Sequence, residues 1–229
     1  MSKLSVLIPF KPDNGRRDLN MEYVRQRYQK LMPELELVIC LDYSEPFCKG
    51  KAVNEAAKKA TGEIFIVVDA DVIFEPELIR KIDLYMHVHH WLQPFKVCYL
   101  LSQTASDQVM EQGPAAKITF GPNQAEAAEI VEAGPLMNVM TRECFEAVGG
   151  FDERFKGWGW EDIAFSRSLD TICGNHFRMD ETIYHLWHPS SAKLNSPEYQ
   201  NNCALFRYYY QAGLNGPEAM KKLIRERSQ

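Results

Sequence analysis

Residues 49–71 read KGKAVNEAAKKATGEIFIVVDAD, and the order of signals inside this stretch decides the fold class. Lys51 to Ala60 has helical composition and stops at Thr61-Gly62, a helix-ending pair. Ile64 to Val68 is a short apolar, β-branched run of buried-strand type, and it ends abruptly on Asp69-Ala70-Asp71. Upstream, Leu4 to Pro9 (LSVLIP) predicts another buried strand, followed by a turn at Asp13-Asn14-Gly15. A helix over Asp18 to Leu31 follows from the spacing of Leu19, Tyr23, Val24, Tyr28 and Leu31, and a second strand from Leu35 to Leu41. Downstream, Pro76 suits the first turn of a helix running to about His90, and Val97 to Leu101 predicts a fourth strand.

Strand and helix therefore alternate three times within the first hundred residues. Such alternation implies an α/β fold: a mostly parallel sheet with helices on both faces. Ligands in these sheets bind beyond the carboxyl ends of the strands, which directs attention to Pro9-Phe10-Lys11, Asp42 and Asp69-Ala70-Asp71. The second half is less regular. Residues 103–123 read as loop-rich, with only weak helix on either side. Thr141 can cap a short helix to Val148, a glycine and aromatic loop spans 149–160, and a helix starts near Glu161. His176 to Trp187 predicts two short strands, and the tail from Pro197 is helical with a break at 213–217. At 229 residues, without repeat or linker, one domain is expected, with a regular ligand-binding α/β half over 1–102 and a less regular half over 103–229.

Three clusters carry chemistry. In an extended segment, side chains at i and i+2 point the same way, so Asp69 and Asp71 can face one ligand. Two hard oxygen donors suit Mg2+ or Mn2+ bridging a diphosphate, although acidic turns after strands are also common on solvated surfaces. Gly157-Trp158-Gly159-Trp160-Glu161-Asp162 combines glycines that permit close backbone approach with flat aromatic faces for a sugar ring. Its two acids lie ~100° apart around the helix axis and so should do different jobs, one accepting a proton from a substrate hydroxyl. A helix start with acids favoured by the dipole would account for either acid alone, less readily for the whole cluster. In Tyr184-His185-Leu186-Trp187-His188-Pro189, two histidines near a strand end offer a third metal donor, with His188 competing with His185 for that role. Lys11, Arg16, Arg17, Lys49 and Lys51 could supply cations to a diphosphate, though most such residues simply face solvent.

Composition sets the surroundings. Hydrophobic residues are 45%, which argues against disorder. The formal net charge of −5 argues against a charge-driven nucleic-acid clamp. The six cysteines show no CxxC spacing and read as reduced, packed thiols. The N-terminal apolar run is too short for a signal peptide or membrane span, and a cytoplasmic location is the expectation.

In this order the motifs resemble the GT-A glycosyltransferases of the family 2 type, and the catalytic domain of β-1,4-galactosyltransferases and chondroitin polymerases. SVLIPFKPDNGRR is similar to the family's first strand and nucleotide-contacting loop, and LVICLD with residues 49–71 to its nucleotide Asp, donor-side Asn segment and DxD. AGPLMNVMTRECFEAVGGFDERFKGWGWED resembles the donor-sugar and acceptor segment, and IYHLWHP the metal-histidine strand. The resemblance covers residues 4 to 190. It implies a GT-A, Rossmann-like fold and transfer of a sugar from a nucleoside-diphosphate sugar, a UDP-sugar, to a hydroxyl of a glycan, lipid, protein or modified nucleobase. It further implies nucleotide or substrate contacts from Pro9, Phe10, Lys11, Arg16, Asp42, Lys51, Asn54, Asp69, Gly134, Trp158 and Trp160. Mn2+ or Mg2+ would be held by Asp71 and Asp69 with His185 or His188, and Asp162, beside Glu161, would be the base of an inverting single displacement. The segment 103–123 and the Trp158 loop are expected to order over the donor. A nucleotidyltransferase is the competing enzyme reading, disfavoured because IPFKPDNG is not a glycine-rich phosphate loop. A non-catalytic sugar-binding protein on the same fold is the other alternative.

Overall fold

The computed structural model describes residues 3–118, 128–132, 136–190 and 194–228. Strand β1 (Leu4–Phe10) is buried along its whole length, because β2 (Glu36–Leu41) and β3 (Ile64–Val68) pair with it in parallel on either side. Helix α1 (Arg16–Leu31) links β1 to β2, and α2 (Lys49–Lys59) links β2 to β3. The Asp18 carboxylate accepts from the Gly15 N–H at 3.2 Å and so closes the start of α1. Asp42 does the same at a distance for α2, accepting from the Cys48 N–H at 2.9 Å.

Beyond β3 the chain departs from simple alternation. A two-residue strand β4 (Val72–Ile73) and helix α3 (Glu77–Met86) follow, then β5 (Trp91–Gln93) and β6 (Val97–Leu101). Next come α4 (Gln103–Glu111), β7 (Ala128–Glu132) and β8 (Met137–Thr141). The central sheet has six strands, completed by β9 (Phe177–Arg178), in the order β2-β1-β3-β8-β5-β9. Strand β8 runs antiparallel to both β3 and β5, so the sheet is mixed, with its parallel part at β2-β1-β3. The fourth strand expected in that sheet, β6, lies elsewhere. It pairs in parallel with β10 (Thr182–His185) in a second sheet ordered β4-β10-β6-β7. The edge of β3 is already taken by β8, a pairing between segments about seventy positions apart that no local pattern announces.

Helix α5 (Arg142–Ala147) is capped as expected, with Thr141 Oγ1 accepting from the Cys144 N–H at 3.2 Å. Residues 103–111, expected as loop bordered by weak helix, form α4, capped by Ser102 through the Ala105 N–H. Helix α6 (Glu161–Cys173) packs over the sheet face that carries Phe65, Val67, Trp91 and Met140. Helices α7 (Pro197–Leu214) and α8 (Pro217–Arg225) lie against α6 through Tyr209, Ala212 and Met220. The opposite face of the sheet carries α1 and α3 over a larger core that includes Val24, Tyr28, Ile79 and Ile82. All six cysteines are free thiols. Among the described residues no helix is long and apolar enough to cross a membrane.

Candidate active site

A cleft of about 1270 Å³ opens at the carboxyl ends of β1 and β3. Pro9, Phe10 and Lys11 form one wall and Asp69, Ala70 and Asp71 the floor. The 157–163 segment, the end of β10 and the start of α7 enclose the far side.

The two carboxylates of the floor part company. The chain leaves the extended conformation after Val68, and the Val72 N–H donates to the Asp69 carbonyl at 3.2 Å, closing a tight turn. The expected shared direction of Asp69 and Asp71 therefore does not hold: the i, i+2 rule needs a strand, and this is a turn. Asp71 is carried to β10 instead. Strand β10 pairs antiparallel with β4, and the Leu186 N–H donates to the Asp71 carbonyl at 2.8 Å, which places His185 beside the carboxylate. Asp71 Oδ1 lies 3.1 Å from His185 Nε2, and Asp71 Oδ2 lies 3.1 Å from His188 Nε2. Both histidines join the cluster, so they do not compete for one place. One ligand atom from each of these three residues falls within 4.8 Å of the others. Burial works against the Asp71 charge, but His185 and His188 outweigh it and hold the carboxyl well below the usual carboxylate range. Asp71 Oδ1 is buried, and among the described residues it makes no aligned hydrogen bond, although an imidazole stands next to it. A buried carboxylate oxygen without a hydrogen bond, on a carboxylate that two imidazole nitrogens approach, fits a divalent metal ion.

Asp69 turns to the other side. Its Oδ1 is 2.7 Å from Lys49 Nζ, and the same ammonium is 2.7 Å from Asp162 Oδ2. Lys49 opens α2 and Asp162 is the second residue of α6, so this bridge ties the two halves of the cleft together. Burial disfavours the lysine charge, yet Asp162, Asp69 and Glu161 raise its pKa above the ordinary value. Asp162 is pushed up to about 8, first by burial and then by the Glu161 and Asp69 carboxylates, with Lys49 opposing. Glu161 is raised as well, again chiefly by burial. Three carboxylates around one ammonium cannot all hold a full charge cheaply, so one of them takes up a proton in the neutral range.

The far side of the cleft is aromatic. Trp158 is half-exposed and stacks on Tyr199 with ring centroids 5.7 Å apart and planes 15° from parallel. Trp160 caps α6 in the left-handed region, with φ at 77°, and stacks on Phe206 at 4.9 Å. Ser196, Glu198 and Tyr199 of α7 also line the cleft, a contribution absent from the sequence reading because nothing local marks that helix start as part of a site.

Several residues expected at the donor lie away from the cleft wall. Asp42 is buried, with its carboxylate occupied by Ser44 Oγ, the Cys48 N–H and Lys51 Nζ, the last at 3.3 Å. It serves the α2 terminus, and those bonds lower its pKa in spite of burial. Asn54 is spent on the backbone of Phe151 and on Glu153. Arg16 braces the wall from behind, donating to the Trp187 carbonyl at 3.2 Å and to Asp107. The arginine that does line the cleft is Arg17, 3.8 Å from Asp71 Oδ2. Gly134, and the 119–123 part of the segment expected to close over the donor, lie outside the described residues.

Comparison with known proteins gives two matches in tandem. The family described as "Glycosyl transferase family 2" matches residues 13–90, and "N-terminal domain of galactosyltransferase" matches residues 132–189. No curated relative matches the sequence. Among solved structures, glucosyl-3-phosphoglycerate synthase from Mycobacterium tuberculosis, in complex with Mn2+, UDP and glucosyl-3-phosphoglycerate, superposes with a TM-score of 0.58 at 11% identity, over 94% of this chain and 81% of that one. GalNAc-T7 with UDP, GalNAc and Mn2+ gives 0.53 at 12% identity, over 99% of this chain and 54% of that one. A mannosyltransferase from Pyrobaculum calidifontis in complex with GDP-Man and Mn2+ gives 0.50 at 14% identity, over 98% and 68%. At such identities these likenesses speak to the fold, and the two family matches speak to the activity. Together they set aside the nucleotidyltransferase and non-catalytic readings: the chain is a glycosyltransferase with the GT-A fold.

Proposed function

We propose that the chain moves a sugar from a nucleoside-diphosphate sugar, a UDP-sugar, to an acceptor hydroxyl by a single inverting displacement. One observation carries this reading. A carboxylate–imidazole cluster and a buried carboxylate of raised pKa face the same cleft, and the Asp69–Lys49–Asp162 bridge joins its donor and acceptor sides. Asp71, His185 and His188 would hold the metal, and two imidazole nitrogens favour Mn2+ over the oxygen-seeking Mg2+. Such an ion supplies charge neutralisation to a departing diphosphate. Pro9, Phe10 and Lys11 of the 1–102 half would flank the nucleotide, and Arg17, beside Asp71, adds positive charge at the same end. From the 103–229 half, Asp162 would take the proton of the acceptor hydroxyl as its oxygen attacks the anomeric carbon. Trp158 and Tyr199 would offer a ring face to an acceptor sugar. The stereochemical claim is tested by the anomeric configuration of the product in NMR: inversion relative to the donor is expected, and retention contradicts it.

The aromatic wall gives a separate expectation. A stacked aromatic contact is worth about 1 kcal/mol, so Trp158→Ala should raise the acceptor KM roughly five-fold. The donor KM should stay unchanged, and an effect confined to the donor would remove Trp158 from the acceptor side.

A further inference from the structure

Lys49 is 8% exposed and has two carboxylate partners at equal distance, one from the end of β3 and one from the start of α6. A lysine arranged to grip a diphosphate would turn its ammonium towards the open cleft; here the ammonium donates to Asp162 Oδ2 and stands 2.7 Å from Asp69 Oδ1 as an ion pair. The surroundings of Asp162 sharpen the point. Its Oδ1 is buried with no hydrogen-bond partner among the described residues, and its Oδ2 is held by Lys49. Among the described residues, then, Lys49 is the one group that fixes this carboxylate. The helix start it stabilises follows a segment with positive φ at Gly149, Gly150, Gly157, Gly159 and Trp160, a backbone that does not by itself aim a side chain.

We propose that Lys49 is a positioning residue for the base: it draws Asp162 Oδ2 against Asp69 and so fixes the working oxygen at the donor end of the cleft. This rests on the reading of Asp162 as base. Without Lys49, Asp162 would face Asp69 and Glu161 with no compensating charge, and the like-charge carboxylates would drive it from that position. Misplacement of a reacting group by about 1 Å can cost on the order of 10²-fold in rate, which sets the scale of the effect.

The test is a kinetic double-mutant cycle. Lys49→Met should lower kcat about 10- to 100-fold with donor and acceptor KM within about three-fold, and Lys49→Arg should recover part of the loss, because a guanidinium can bridge two carboxylates. In an Asp162→Asn background Lys49→Met should cost nothing further, since Lys49 acts through the residue already removed. An equal loss in both backgrounds, or a loss confined to the donor KM, overturns the proposal. Unfolding by Lys49→Met would be seen by circular dichroism. In that event Lys49→Arg is compared in the two backgrounds: its smaller loss should vanish in the Asp162→Asn background, and persistence there overturns the proposal. Asp162→Asn alone reports on the underlying reading: full transfer by that variant sinks the base assignment, whereas its loss beside an unaffected Lys49→Met sinks only the role of Lys49.

Discussion

Asp162→Asn is expected to lower sugar transfer by ~10²–10⁴-fold while nucleotide-sugar binding is kept, the range that a positioned general base contributes. Asparagine preserves the size and can still meet Lys49 through its carbonyl oxygen, but it cannot take a proton. The pH profile gives the same assignment a second handle. Burial, Glu161 and Asp69 push Asp162 up to about 8 against the pull of Lys49. The base works only when ionised, so the acceptor kcat/KM should rise with pH and approach its plateau above that value. As pH falls from 9 to 6 the protonated fraction grows and activity should drop roughly ten-fold per unit on the acid side. The Asn variant should lack this limb. A flat or falling profile in the unsubstituted enzyme, with a fully active Asn variant, would show that another group removes the proton.

Removal of divalent metal is the second large effect. The Asp71 carboxylate lies between His185 Nε2 and His188 Nε2, and deleting it takes away the only acidic ligand of the three-residue cluster. Asp71→Ala should therefore reduce turnover on the order of 10³-fold, the scale on which a fixed charge acts on a charge that develops in the transition state. Chelation by EDTA should abolish turnover in the unsubstituted enzyme. Added Mn2+ should restore it at lower concentration than Mg2+, because of the two imidazole donors. Turnover indifferent to EDTA would remove the metal role from this cluster, whatever else Asp71 does.

The parts of this arrangement that could be read from the chain are those set by local chemistry. β1, β2 and β3 are short β-branched runs bounded by turns, and the cap at Thr141 is a one-residue signal. The GWGWED segment also stood out as a cluster, and residues 157–162 do line the cleft. What escaped is non-local. Trp91–Gln93, just past the helix expected to run to about His90, forms a strand that no local pattern marks, and β6 is claimed by β10 from about eighty-five residues away. That second sheet is what delivers His185 to Asp71, so the sequence offered the two histidines as alternatives and only the topology brings both to the carboxylate. Lys49 shows the same limit. In the sequence it is one of five interchangeable cations, and only the approach of α2 to α6 separates it from Lys51, two positions on, which pairs with Asp42. Arg27 carries no local mark at all, yet it is fully buried and donates to the carbonyl oxygens of Phe74, Pro114 and Ala116.

The central claim is that this cleft binds a nucleoside-diphosphate sugar through a metal held by Asp71, His185 and His188. Thermal denaturation of the unsubstituted chain and of Asp71→Ala, in a panel of nucleotide sugars with and without Mn2+, measures it most directly. Ligand stabilisation follows RT ln(1 + [L]/Kd), so a donor at 100 times its Kd adds about 2.7 kcal/mol and a clear rise in Tm. The expected result is a rise with a UDP-sugar only when Mn2+ is present, and none in Asp71→Ala. A rise of equal size without metal, or in the Asp71 variant, or no rise with any nucleotide sugar, would contradict the account.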